Sequence, residues 1–288
     1  MSGTITVGLD GTDHALSAAD WAAEEAILRG GSLRLVHAWA WRPADVAYVG
    51  DRPAEERGIR NVLNEAQARV ARKYPNLGVT TELLVGDPVP TLLTEAARAG
   101  MLVMGSRGRG ALAGFLVGSV SLQVLRQADG PVVMVREPSS SVPARHPEVV
   151  VGVQELGHVG APLLEFAFAA AAERRASLRV VHAWSVPTAL AWSPGVLYLV
   201  EEADGLAQIN KEVLADTLRP WQEKYPQVEV IEQFEIGSAA EVLLSHSDRA
   251  SLMVVGRRKQ EKGLRRIGAV THAVLHHASA PVAVVPHD

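Results

Sequence analysis

Short apolar runs alternate along this chain with segments of helical period. Thr4–Leu9 and Met101–Met104 are mostly apolar without a polar face, which is typical of strands buried on both sides of a sheet. A helix is predicted after the first run, and Gly30-Gly31 ends it. Its inward face would carry Ala19, Ala22, Ala23, Ala26 and Ile27.

The same pattern continues through the first half of the chain. It predicts strands at Leu33–Trp39, Val79–Val85 and Pro131–Val135, and helices at Arg57–Lys73, Val89–Ala99 and Val120–Gln127. Strands that alternate with helices imply right-handed crossovers and a parallel sheet covered on both faces. The predicted fold class is therefore α/β.

The second half of the chain repeats the first. Ser32–Trp39 (SLRLVHAW) returns as Ser177–Trp184 (SLRVVHAW), and Pro131–Val135 (PVVMV) returns as Pro281–Val285 (PVAVV). A period this long indicates two copies of one domain rather than a solenoid of short units. We predict an N-terminal domain over residues 1–137, a Pro- and Ser-rich linker over 138–147 and a C-terminal domain over 148–288.

Composition narrows the functional classes. The chain has 288 residues and a net charge of −4, which argues against a general nucleic-acid binder. It has no cysteine, so disulfides, cysteine metal sites and cysteine nucleophiles are excluded. Because it shows neither a signal-peptide pattern nor an apolar run long enough to span a membrane, we expect a cytoplasmic protein with no membrane partner.

A glycine-rich loop follows the buried run Met101–Met104 and leads into the helix predicted from Val120. Glycines allow close approach of the backbone to a ligand, and the first turn of a helix offers unpaired N–H groups to a phosphate. The pattern predicts a nucleotide phosphate site, although a flexible connection with an ordinary Gly-Ser cap would look similar. Arg107 and Arg109 add positive charge to this loop.

Asp10 follows the first predicted strand. In a sheet of order 3-2-1-4-5, which we assume, its strand neighbours the one that ends at Gly105, at the edge where such folds bind ligands. Asp10 would then be the carboxylate of the site and would hold a ribose hydroxyl, the base or a metal on the phosphates. The alternative is that Asp10-Gly11 forms only a turn and a helix cap.

Several other motifs are missing or uninformative. The chain lacks a P-loop, a Gly-x-Gly-x-x-Gly after the first strand and the kinase motifs. His37 and His182 recur at matched positions, which favours packing over catalysis. His272 and His276 have a spacing that permits a metal, but with no third ligand nearby in sequence we assign neither a metal site nor a catalytic residue.

The pattern Gly105-x2-Gly108-x9-Gly118-Ser119, with Val7–Thr12 (VGLDGT) before it and Pro131–Val135 after it, resembles the universal stress proteins. Both copies fit, as in the tandem form known from actinobacteria. The resemblance implies two Rossmann-like domains, each with a five-stranded parallel sheet of order 3-2-1-4-5, that bind ATP, usually with Mg²⁺. The implied nucleotide-binding residues are Gly8, Asp10, Ala38, Pro88, Gly105, Ser106, Arg107, Gly108, Arg109, Gly110, Ala111, Gly118, Ser119 and Val120.

The resemblance also implies a homodimer and a pseudo-dimer of the two copies, both formed through the fifth strands. The residues involved would be Val132, Val133, Val135, Val282, Val284 and Val285.

The second copy departs from this pattern. Asp10 is replaced by Gln154, Gly108 by Lys259, and Gly118-Ser119 by Gly268-Ala269. We therefore predict that the second copy binds ATP poorly or not at all. Its loop is strongly basic, which is consistent either with a solvated loop or with another anion, an acidic partner or nucleic acid. For the whole chain we predict a regulatory ATP-binding stress-response protein, with a slow ATPase or a nucleotide-independent scaffold as alternatives.

Overall fold

The computed structural model of the protein describes residues 3–40, 52–106, 117–136, 147–154, 160–184, 196–259 and 266–288. The chain divides into two units, an N-terminal one built on Met1–Ser140 and a C-terminal one built on Ser141–Leu264 and Gly268–Asp288. Residues 138–146 of the predicted linker lie outside the described residues, so its bounds stay a prediction.

The N-terminal unit alternates strands and helices as the hydrophobic pattern predicts. Its elements are β1 (Thr4–Gly8), α1 (Asp13–Leu28), β2 (Ser32–Trp39), α2 (Arg52–Lys73), β3 (Val79–Val85), α3 (Pro88–Arg98), β4 (Met101–Gly105), α4 (Ser119–Gln127) and β5 (Val132–Val135). The strands pair in parallel in the order β3-β2-β1-β4-β5. All their carboxyl ends therefore lie at one edge of the sheet.

The C-terminal unit repeats this plan. Its elements are β6 (Glu148–Gly152), α5 (Ala161–Arg174), β7 (Ser177–Trp184), α6 (Val196–Lys224), β8 (Val230–Ile236), α7 (Ala239–Ser245), β9 (Ala250–Arg258), α8 (Ala269–His277) and β10 (Val282–His287). Its strands run in the order β10-β9-β6-β7-β8 and pair in parallel. The predicted α/β fold of two Rossmann-like domains is confirmed.

Helix α1 packs on the sheet through alanines because its backbone lies close to the strands. Ala19, Ala22, Ala23 and Ala26 are fully buried, as predicted. Ile27 is 48% exposed, so its assignment to the same face was wrong. The four buried alanines occupy an arc of about 100° that runs from Ala22 to Ala23, and Ile27 lies about 40° beyond Ala23, outside that arc. Thr12 caps the helix by accepting a hydrogen bond from the N–H of Ala15.

An arginine in β2 joins three elements of the N-terminal unit. Arg34 donates from Nε to Glu95 of α3 at 2.8 Å and from Nη2 to Glu82 of β3 at 2.6 Å. Glu95 is buried, whereas the Glu82 side chain is half exposed. The hydrogen bond to Glu95 is the main cause that raises the pKa of Arg34, so this guanidinium stays charged.

The arginine of the C-terminal unit that matches Arg34 has different partners. Arg179 of β7 donates to Glu148 at 3.0 Å and to Gln233 at 2.8 Å. His246, at the end of α7, stands where the N-terminal unit has Glu95. Burial and then the nearby Arg179 lower the pKa of His246, against the smaller opposing effects of Glu148 and Glu235; Arg249 lowers it further.

We therefore expect the C-terminal unit to lose stability in mild acid. A histidine whose pKa is lower in the folded chain binds fewer protons there than in the unfolded chain. Its neutral form stabilises the fold above the unfolded value of 6.5, and this contribution is lost as the pH falls below it. Urea unfolding at about pH 7.5 and about pH 5.5 measures the loss. The His246→Gln variant, which cannot titrate, should show a smaller difference; an equal difference would contradict the role of His246.

In the part of the chain that the structure describes, no helix combines the length and apolar character needed to cross a membrane.

Candidate functional site

The carboxyl ends of β1 and β4 lie side by side in the N-terminal unit. Gly8 of β1 is in register with Met104 of β4. Gly105, where the glycine loop begins, is therefore level with Leu9, and Asp10 follows one residue further on. The two parts of the predicted site that come from different strands thus reach the same edge of the sheet.

Ser106 holds the two ends of the glycine loop together. Its N–H donates to the carbonyl of Val135 in β5 at 2.8 Å, and its carbonyl accepts from the N–H of Gly118 at 3.2 Å. Ser106 is 3% exposed, so this junction is buried. The predicted site residues Arg107, Gly108, Arg109, Gly110 and Ala111 lie outside the described residues, between these two tied ends.

Helix α4 begins at this junction with a glycine cap. Gly118 is the N-cap residue, with extended backbone (φ −67°, ψ 155°), and it brings no side chain to the first turn. Ser119 is exposed and Val120 is half-buried. The N–H groups of a first helical turn have no partner within the helix and carry the positive end of its dipole. The beginning of α4 therefore fits an anion such as a phosphate.

Asp10 shapes the turn between β1 and α1. Its Oδ1 accepts hydrogen bonds from the N–H of Thr12 at 3.0 Å and from the Thr12 hydroxyl at 2.6 Å. The turn interpretation is thus correct, but the helix cap is Thr12 rather than Asp10. Sequence reasoning missed Thr12, although the pattern Asp-x-Thr before a helix is a recognisable turn signal. Its bonds fix the direction of the half-buried Asp10 side chain.

Two glycines of the predicted site lie in close contact with neighbouring helices. A Cβ on Gly8 would lie 3.2 Å from Cδ2 of Leu92 in α3. A Cβ on Gly105 would lie 2.8 Å from the carbonyl carbon of His14 and 2.9 Å from the nitrogen of Ala15, both in the backbone of α1. Gly105 therefore lets the first turn of α1 approach the end of β4 directly.

Ala38 and Pro88 lie at the same edge of the sheet but further along it. Ala38 is paired with Leu84 of β3, and Pro88 is the first residue of α3. Gly86, between β3 and α3, donates from its N–H to the carbonyl of Trp39 at 2.9 Å, which ties these segments together. Strand β3 is three strands from β4, or about 14 Å at the usual spacing.

A second carboxylate lies at this edge. Asp87 is exposed and is the N-cap residue of α3. Strand β2 separates β3 from β1, so the strands that lead to Asp87 and Asp10 are about 10 Å apart at the usual spacing. In the described residues no group of three or more histidine, aspartate or glutamate side chains is arranged to hold a metal.

The equivalent edge of the C-terminal unit is built differently. Strands β9 and β10 continue past Gly256, with Arg257 in register with Pro286 and Arg258 with His287. The N–H of Lys259 then donates to the carbonyl of His287 at 2.7 Å. Strand β9 therefore extends two residues past Gly256, whereas β4 ends at the matching Gly105.

Side chains also fill this edge of the C-terminal unit. A Cβ on Gly256 would overlap the imidazole of His287, whose Cδ2 lies 2.8 Å from that position. Arg257, which stands where the other unit has Ser106, is 2% exposed. Gln154, in place of Asp10, is exposed. The departures seen in the sequence thus accompany a different backbone course.

One further contact was not anticipated. The hydroxyl of Thr271 in α8 donates to the carbonyl of Gly256 at 2.9 Å and so joins α8 to the end of β9. Ser121, also buried, is the matching residue of α4. The signal was present in the sequence as a hydroxyl residue three positions after Gly118 and Gly268.

His37 and His182 occupy matched positions in the second strand of each unit. The described contacts of His182 are those of a packing residue. His182 is 8% exposed, lies 3.0 Å through Nδ1 from the carbonyl oxygen of Val153 and stacks on Phe234. His37 is half-buried in β2. The prediction of a packing role is confirmed for His182.

Comparison with known proteins agrees with the residue pattern and the duplicated fold. The universal stress protein family model matches the chain twice, at residues 1–136 and 148–286. Universal stress protein Rv2005c of Mycobacterium tuberculosis is 34% identical over 97% of this chain and 96% of its own. Universal stress protein Rv1996 of the same organism is 32% identical over 99% of this chain and 96% of its own.

Among solved structures, a universal stress protein from Archaeoglobus fulgidus superposes with a TM-score of 0.68 and covers 98% of both chains. It is 16% identical and supports the fold alone. Both units of the present chain match the family model, and relatives align along nearly its whole length. The chain therefore belongs to the universal stress protein family and carries two of its domains in tandem.

Proposed function

We propose that the N-terminal unit binds one ATP molecule at the carboxyl edge of its sheet. The observation that carries this proposal is the junction of Ser106 with Gly118, which holds the end of β4 against the start of α4, where no side chain caps the helix. The glycine loop between them would wrap the phosphates, with the first turn of α4 supplying N–H groups. Asp10, Ala38 and Pro88 would face the ribose and base further along the edge.

Mg²⁺ would accompany the nucleotide in this proposal. Proteins bind Mg²⁺ through one or two carboxylates together with phosphate oxygens and water. Asp10 follows β1, which neighbours β4 in the sheet, and its bonds with Thr12 fix its orientation. Asp87 follows β3, two strands further along the edge.

We propose further that the C-terminal unit does not bind ATP. In that unit β9 and β10 stay paired past Gly256, which matches the end of β4, and the imidazole of His287 lies against Gly256. A phosphate there would have to displace a paired strand and a side chain, and it would find Gln154 in place of the carboxylate. One nucleotide per chain is expected.

The role that we propose for the bound nucleotide is regulatory. A ligand shifts a conformational equilibrium only if it binds two conformations with different affinities. A loop that is tied at both ends and closes over phosphates would provide such a difference. The protein would act in the cytoplasm, which stays a prediction.

Two alternatives remain with their own tests. A slow ATPase would hydrolyse ATP above the buffer rate and lose this activity in Asp10→Ala. A nucleotide-independent scaffold would copurify without nucleotide and show no shift in melting temperature with ATP. The predicted homodimer and fifth-strand pseudo-dimer would serve that scaffold and stay predictions.

A single substitution in each unit tests the site. Gly118→Asp should place a carboxylate at the N-cap of α4, which favours the helix but competes with phosphate for its N–H groups. Calorimetric titration of the full chain with Mg·ATP should give one site for the unaltered protein and an affinity weaker by about tenfold or more for this variant.

Gly268→Asp is the matched control. Gly268 caps α8 with nearly the same backbone angles (φ −62°, ψ 157°), and a Cβ there meets nothing within 4 Å. This variant should bind ATP like the unaltered protein. Loss of binding in Gly268→Asp with retention in Gly118→Asp would place the nucleotide in the other unit, and two sites per chain would contradict the proposed asymmetry.

A further inference from the structure

Two histidines of α8 face each other on successive turns. The ring centroids of His272 and His276 are 4.3 Å apart, and the ring planes are tilted by 30°. His272 is exposed and His276 is half-buried. Residues four apart lie on one face of a helix, so the backbone itself sets the two rings side by side.

The helix beneath the pair is regular and anchored. The N–H of His272 donates to the carbonyl of the cap residue Gly268 at 2.9 Å, and that of Ala278 donates to Val274 at 2.9 Å. The buried face of α8 carries Thr271, Val274 and Leu275. Packing of that face holds the helix in place and leaves the histidine pair on a different side.

The ring separation suits a shared metal ion. Zinc binds imidazole nitrogen at about 2.0–2.1 Å, so two nitrogens of a tetrahedral site are about 3.4 Å apart. The ring centroids are 4.3 Å apart, and rotation about the side-chain torsions would turn one nitrogen of each ring towards a common ion. Imidazole pairs of this kind bind zinc, copper and nickel in preference to magnesium or calcium.

We propose that His272 and His276 form a two-ligand site for a divalent transition-metal ion on the surface of the C-terminal unit. Water would complete the coordination, because the described residues contain no group of three or more side chains able to hold a metal. By the general order of stabilities, Cu²⁺ binds most tightly and Ni²⁺ and Zn²⁺ follow. Open positions at the metal would accept an imidazole or carboxylate from a partner.

The N-terminal unit lacks this feature. Gly118 and Gly268 are the N-cap residues of α4 and α8 and have nearly the same backbone angles. Residues of the two helices can therefore be matched by counting from these glycines. The residues of α4 that match His272 and His276 are Leu122 and Arg126. The metal site therefore belongs to the unit for which we propose no nucleotide, and the two sites would be independent.

Isothermal titration of the untagged, nucleotide-free full chain with NiCl₂ tests the site. One Ni²⁺ should bind per chain, and His272→Ala and His276→Ala should each weaken its binding by about tenfold or more, because either change leaves a single imidazole. His277→Ala is the control, since that ring lies 6.4 Å from His276 and follows it by one residue, on another side of the helix. It should bind Ni²⁺ like the unaltered chain.

A second measurement guards against an effect of the substitutions on folding. Ni²⁺ should raise the melting temperature of the unaltered chain and of His277→Ala, but not of His272→Ala, and a chelator should reverse the shift. Unchanged affinity in both His272→Ala and His276→Ala would overturn the proposal. So would a loss in His277→Ala as large as in the other two.

Discussion

Gly105→Ala is expected to lower the free energy of unfolding of the N-terminal unit by about 2–3 kcal/mol, the upper part of the range for overpacked sites. The added Cβ would lie 2.8 Å from the carbonyl carbon of His14 and 2.9 Å from the nitrogen of Ala15. These are backbone atoms in the first turn of α1, so no side-chain rotation relieves the contact. Either α1 or the end of β4 has to move.

Such a movement would also disturb the proposed nucleotide site. Gly105 directly precedes Ser106, whose carbonyl holds Gly118. We therefore expect weaker ATP binding in the same variant. Hydrogen exchange measured on peptides from residues 13–28 and 101–106 of the full chain should show faster exchange there and little change in the C-terminal unit.

Two other glycines provide matched controls. Gly256 occupies the same position in the C-terminal unit, but a Cβ there meets the imidazole of His287, a side chain that can rotate, rather than backbone. Gly256→Ala should therefore cost much less. Gly58 is exposed in α2 with nothing within 4 Å of its Cβ position, so Gly58→Ala should stabilise by about 0.5–1 kcal/mol. Equal losses at Gly105 and Gly256 would contradict the backbone explanation.

Glu95→Ala is expected to destabilise the same unit by about 2–3 kcal/mol, the magnitude of a lost hydrogen bond to a charged group with its partner left in place. The Glu95 side chain is 5% exposed and the Arg34 side chain 27%. Arg34 would keep Glu82 and some water, so the loss should fall below that of a fully buried pair. Urea unfolding of the full chain, followed by the same exchange experiment, measures it.

Glu82→Ala tests whether burial decides the size of this effect. Glu82 binds the same guanidinium at 2.6 Å, but its side chain is 50% exposed. Exposed ion pairs contribute about 0–1 kcal/mol, so this variant should lose less than 1 kcal/mol. A loss as large as in Glu95→Ala would show that the charge of the arginine, and not the burial of its partner, sets the energy.

Most of the fold could be predicted from the sequence because the hydrophobic periodicity of strands and helices is a local property. Met101–Met104 reads as a buried strand, and β4 covers these residues. The first helix was predicted to end at Gly30-Gly31, and α1 ends at Leu28. The error at Ile27 has a physical cause, because this residue lies just outside the arc of the helix surface that the buried alanines occupy.

Less of the candidate site could be predicted from the sequence. The glycines suggested ligand contact, yet Gly8 and Gly105 have packing partners that lie far away in sequence, in α3 and α1. The departures of the second copy were visible as residue changes. That β9 and β10 lengthen there could not be read from them, because strand extension depends on pairing between Arg257 and Pro286, which no local pattern reports. The partners of Arg34 and of its counterpart Arg179 likewise depend on tertiary structure.

The Ser106–Gly118 hydrogen bond also affects how far the sequence of this domain can vary during evolution. Since the N–H of Gly118 is bonded to the carbonyl of Ser106, residues 107–116 begin and end near fixed points, and a change in their number leaves those points in place. Doubling the length of such a loop costs only about 0.6 kcal/mol in closure entropy. Residues 107–116 can thus be replaced by a shorter or different sequence, including one with another ligand preference, while the fold of the domain is retained. This makes the segment a suitable target for protein engineering.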